Sequence, residues 1–209
     1  MPLVIGPPAW WSEAKRSIRA SDQLLGAVID RHEEPPLRGA GDIVATLMNS
    51  IVGQQISGAA AAAIKGRLMT ALGGVFEHSR MEPLDAEAMR AVGLSRSKAR
   101  YLRRLAAEAE ALHAFDWSAA TEQQVEQRLL ALPGVGPWTL HMVRIFALLE
   151  PDVYPLGDIG VVRAVEQMHA GGERLEMEEL GRIGEAWRPW RTCATWYLWR
   201  LRDADPIEY

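Results

Sequence analysis

The chain has 209 residues, with 23 Lys and Arg against 27 Asp and Glu for a net charge of −4 and a hydrophobic fraction of 48%. That length and apolar content are enough for a sizeable buried core and exclude a disordered chain. The single cysteine, Cys193, excludes an internal disulfide, a four-cysteine iron–sulfur cluster and a cysteine-rich zinc site, and fits a reducing compartment.

At the start, MPLVIGPPAWWSEAKRS lacks a basic region followed by an apolar one, and no run approaches 18 uninterrupted apolar residues. The expectation is a cytoplasmic chain without a membrane anchor. Ile43, Leu47 and Ile51 recur with helical spacing after Asp42, a candidate N-cap. Ser57 opens a second helix through the alanine run 59–63, with Ile64, Leu68 and Leu72 on one stripe and Gly73-Gly74 as its stop. The periodicity predicts a long helix from about Arg96 to Ala114 carrying Arg96, Lys98, Arg100, Arg103 and Arg104. No acid interrupts that basic run from Leu94 to Ala107; a solvated face and a phosphate-facing surface both fit it.

Further on stand TEQQVEQRLLA, the break LPGVG, PWTLHMVRIFALL, the Pro-rich turn EPDVYPLGD and IGVVRAVEQMHA. The acidic EMEELGRIGEAW follows, and RPWRTCATWYLWRLR forms the last helix. No run alternates with β-branched residues, so the fold class is all-α. There is neither an internal repeat nor a low-complexity linker, so any two lobes are intertwined rather than strung.

Two stretches carry chemistry. In Leu132-Pro133-Gly134-Val135-Gly136-Pro137-Trp138, between two amphipathic helices, glycines permit close approach to bare backbone and Pro137 suits a first helical turn. Amides at such a helix start favour an anion, with phosphate the natural candidate; an ordinary αα-hairpin also fits. Asp158, in YPLGDIGVVRAV, reads as a helix N-cap that is also able to face a ligand. No HExxH, GxSxG or P-loop pattern is present, and His141 reads as a packing or surface residue.

IVGQQIS at 51–57, GLSRSKARYLRRLA at 93–106, LPGVGPWT at 132–139, YPLGD at 154–158 and WRPWRTCATWYLWR at 187–200 stand in the order of the helix-hairpin-helix (HhH-GPD) DNA glycosylases. The chain resembles the 3-methyladenine DNA glycosylase II branch in a compact form without the N-terminal β domain. The resemblance implies one HhH-GPD unit over 1–209 with two intertwined helical lobes and a DNA-binding cleft between them. Lobe one covers about 36–145, lobe two about 1–35 plus 146–209, and the helix-hairpin-helix 121–149.

By the same resemblance, Asp158 is the catalytic carboxylate, and Trp138, Met142 and Trp199 line the base pocket. Gln55 is the wedge that fills the gap left by a flipped base. Gly134, Val135, Gly136, Thr139, Arg96, Lys98 and Arg100 contact DNA phosphates. The main-chain carbonyls of Leu132 and Val135 hold a monovalent cation, K⁺ or Na⁺. Strand-nicking relatives place a Lys where Trp138 stands, so the implied activity is hydrolysis without lyase chemistry, with no required cofactor and no iron–sulfur cluster. The implied partner is double-stranded DNA with damaged bases, bound by a monomer. A silent DNA-binding scaffold, and a glycosylase for hypoxanthine, ethenoadenine or uracil, are the alternatives.

Overall fold

The computed structural model describes residues 3–32, 35–74, 79 and 85–202. Helix dominates, and the chain divides into two compact units, one built on Ala40–Val143 and the other on Val4–Gly39 with Arg144–Glu208. Among the described residues, no helix is long and apolar enough to cross a membrane.

The first unit centres on α3 (Ile43–Gly53), whose Ile43, Val44, Leu47, Met48, Ile51 and Val52 are all buried. A helix apolar on most sides needs neighbours on most sides. It packs against α4 (Gly58–Ala71) and the long α6 (Arg96–Ala114), which also receives the short α5 (Ala86–Ala91). Capping fixes where these helices begin. Asp42 Oδ1 accepts the Val44 and Ala45 amides at 2.8 and 3.0 Å, while the hydroxyls of Ser57 and Ser95 cap α4 and α6. Thr121 and Gln124 form a reciprocal capping box at the start of α7 (Glu122–Leu130). Beyond the hairpin, α8 (Pro137–Phe146) runs out of this unit.

The second unit is built around α11 (Arg191–Arg202), which packs on α9 (Ile159–His169) and on the N-terminal pair α1 (Trp11–Ser21) and α2 (Gln23–Arg31). It also holds α10 (Met177–Glu185) and the short strand β1 (Ile5–Gly6), which pairs with β2 (Gly39–Ala40). Asp22 alone separates α1 from α2. Its Oδ1 caps α2, and its Oδ2 accepts the Trp187 indole N–H at 2.8 Å and lies 3.3 Å from His169 Nε2. Burial opposes ionisation of Asp22, but the nearby His169 ring and the hydrogen bonds from Leu25 and Trp187 outweigh it and bring its pKa down to about 2. Aromatic packing fills the interior, with Trp11 stacked on Tyr197 and Phe146 on Trp199.

Arg188, Arg191 and Arg200 of the last segment are engaged within the fold. Arg188 and Arg191 both bind the Asp152 carboxylate at 2.6 Å, Arg188 also holds Glu185, and Arg200 is buried. Cys193 is fully buried, and burial pushes its thiol well above the ordinary range, which keeps it neutral and inert.

Candidate functional site

In the first unit, the hairpin closes by a hydrogen bond from Val135 N–H to the Leu132 carbonyl at 3.1 Å. Gly134 takes φ +85°, and a Cβ there would lie 2.4 Å from the Tyr101 ring of α6, so both backbone and packing demand glycine. The amides of Gly134 and Gly136 donate to no group among the described residues, as an anion-binding turn requires. The Val135 amide is spent on the turn itself.

Two residues expected on phosphate are used elsewhere. Thr139 is 1% exposed, and its hydroxyl accepts a hydrogen bond from Gln54 Nε2 at 2.9 Å, so it faces inward. Lys98 Nζ donates to the carbonyls of Val52 at 2.8 Å and Gln54 at 2.7 Å, at the C-terminal end of α3. A cation suits that helix end, and desolvation there lowers the lysine's pKa. Arg96 and Arg100 stay exposed on α6, the latter with its guanidinium 5.4 Å from the centre of the Tyr101 ring. Gln55 is exposed with φ +57°, a left-handed conformation unusual outside glycine. Trp138 is half-buried and Met142 buried, both on α8. Sequence reasoning missed Gln54, whose amide also donates to the Gly134 carbonyl at 2.8 Å. The paired glutamines of VGQQIS were its only signal.

In the second unit, Asp158 caps α9, its Oδ1 accepting the Val161 amide at 3.0 Å and the Trp199 indole N–H at 3.2 Å. Trp199 is 5% exposed and lies stacked on Phe146, with ring centres 5.8 Å apart. The indole therefore holds the carboxylate, a contact between positions 41 residues apart. Gly160, also missed, makes room for the pair: a Cβ would sit 3.0 Å from Asp158 Oδ1 and 3.5 Å from Trp199 Cδ1. A carboxylate oriented by an amide and an indole N–H, half-buried at a helix start, is fit to stabilise a developing cation or to orient water.

The family model for HhH-GPD superfamily base excision DNA repair proteins matches residues 48–189, which include Gln54, the hairpin, Asp158 and Gly160. The chain belongs to this superfamily. Among solved HhH-GPD-like structures, a DNA-3-methyladenine glycosidase from Bacillus halodurans is 32% identical, with a TM-score of 0.69 over 90% of this chain and 88% of that one. The Schizosaccharomyces pombe 3-methyladenine DNA glycosylase, solved in complex with abasic DNA, gives a TM-score of 0.79 at 25% identity, covering 90% of this chain and 95% of that one. A DNA-3-methyladenine glycosylase of Bacillus subtilis is 25% identical over 78% of this chain. The chain spans 66%, 37% and 58% of the length of three curated relatives that it matches.

Proposed function

We propose that this HhH-GPD chain is a monofunctional DNA glycosylase of base excision repair that removes 3-methyladenine and related N-alkylpurines from double-stranded DNA, leaving an abasic site. The observation that carries this reading is Asp158, capped onto α9 and held by the Trp199 indole. In the reaction, the bond between C1′ and the base nitrogen breaks, and its electron pair leaves with the base. An alkylated base is already cationic and departs neutral. Asp158 offsets the positive charge that develops on the sugar and orients the water that adds to C1′, which then loses a proton.

Trp138, Met142 and Trp199 are the base-pocket residues in this reading, and Gln55 is the wedge. Trp138 stands where lyase chemistry would need a Lys, so no covalent Schiff base forms. The amides of Gly134 and Gly136, with Arg96 and Arg100, take the phosphates, and the protein acts as a monomer. Carbonyl oxygens suit a monovalent cation, and those of Leu132 and Val135 would hold K⁺ or Na⁺ beside the phosphate; Leu132 keeps one lone pair beyond its turn hydrogen bond.

Asp158→Asn is the deciding variant, because Asn caps a helix about as well as Asp but carries no charge. Its melting temperature and duplex binding should match those of wild type, while release of methylated purines falls by at least a hundredfold. Wild-type excision by this variant would remove Asp158 from the catalytic role, whereas a wild-type chain that binds duplex but releases no methylated purine would favour a silent binding scaffold.

A further inference from the structure

Three interactions of the first unit converge just past the end of α3. Lys98 Nζ holds the carbonyls of Val52 and Gln54 at 2.8 and 2.7 Å. The Gln54 side-chain amide donates both to the Gly134 carbonyl at 2.8 Å and to Thr139 Oγ1 at 2.9 Å. Tyr101, close to one turn beyond Lys98 on α6, lays its ring against Gly134. The residue after Gln54 is Gln55, exposed and held at φ +57°. A non-glycine residue keeps such a conformation only where its surroundings over-determine it, and the contacts on Gln54 are those surroundings.

We propose that Lys98 and Gln54 are positioning residues that lock the turn presenting Gln55 onto the phosphate-binding hairpin, so that wedge and hairpin move as one piece. This inference rests on the reading of Gln55 as the wedge of a glycosylase. It reassigns Lys98 from phosphate neutralisation to access to the lesion. An ammonium with two protons committed to carbonyls is poorly placed to neutralise phosphate. Gln54 ties the same turn to the hairpin's own backbone, so a displaced wedge drags on the phosphate grip.

The test uses the full chain and duplex oligonucleotides methylated with dimethyl sulfate. Lys98→Met keeps the aliphatic stem and deletes the donors; Lys98→Arg restores donors. We expect Lys98→Met and Gln54→Leu each to slow single-turnover excision about tenfold, and Lys98→Arg to recover most of the loss. The log–log slope of DNA binding against salt should not change in Lys98→Met, whereas loss of a phosphate contact lowers it by about one. Adding Gln55→Ala to Lys98→Met should slow excision no further, since both disable one device. Unaltered excision, a slope reduced by about one, or multiplying effects of the two substitutions would each overturn the inference. Multiplying effects are what a general loss of folded protein would give. Wild-type protein that releases no methylated purine would instead bring down the proposed function, and this inference with it.

Discussion

Asp158 Oδ1 accepts two hydrogen bonds, one local and one from 41 positions away, and this difference separates what the sequence discloses from what it hides. A cap is an i to i+3 contact, so the Asp-Ile-Gly-Val run announces it; the Trp199 indole comes from another helix and leaves no local trace. Gly160 is hidden for the same reason, since its value lies in the space it leaves for both groups. Gly160→Ala should therefore have effects of opposite sign. Alanine favours the helix by about 1 kcal/mol, so stability in urea should hold or rise. A methyl 3.0 Å from Oδ1 shifts the carboxylate, and the excision rate should fall about tenfold or more. A variant that gains stability with full activity would show that the carboxylate tolerates displacement.

At the scale of elements, the helices with an apolar stripe and a local cap are the readable ones. Arg96–Ala114 follows from its periodicity, and Ile43 and Gly58 follow from Asp42 and Ser57. By contrast, α1 and α2 meet at one residue, and the polar run SEAKRSIRASD gives little pattern to split. The direction of polar side chains is less readable still. Lys98 and Thr139 match a DNA-facing motif by position, yet both turn to groups on Gln54 and α3 that are distant in sequence. The hairpin offers the clearest test at this scale. Gly134→Ala imposes a left-handed conformation costing about 1 to 2 kcal/mol and drives a methyl into the Tyr101 ring. We expect a lower urea midpoint and DNA binding weakened at least tenfold, whereas Gly136→Ala, with no atom within 4 Å of its Cβ, should leave the midpoint nearly unchanged.

For the whole molecule, a net charge of −4 conceals an uneven distribution. Asp152, Glu185 and burial engage Arg188, Arg191 and Arg200, so in the proposed reading exposed arginines such as Arg96 and Arg100 on α6, with the hairpin amides, are left to meet phosphate. Binding should lose affinity only gently with salt, with a log–log slope of about −2 to −4; a slope near −10 would contradict it. Asp22 is one of the carboxylates through which acid acts, its pKa falling from 3.8 to about 2 in the fold. Its contribution to stability is complete above 3.8 and is lost as pH falls toward 2, so the melting temperature of wild type should drop across that window more steeply than that of Asp22→Asn.

The second unit is assembled from the two ends of the sequence, with the first unit inserted between them. On a ribosome, α1 and α2 emerge before the inserted unit with Leu25, Val28 and Ile29 in need of cover, and the helix they pack on, α11, is made after it. The inserted unit is free to fold while the first helix pair waits. A chain truncated after residue 143 should thus carry a protease-resistant segment from Ala40 onward and a cleavable N-terminal arm, and restoring the residues through α11 should protect both.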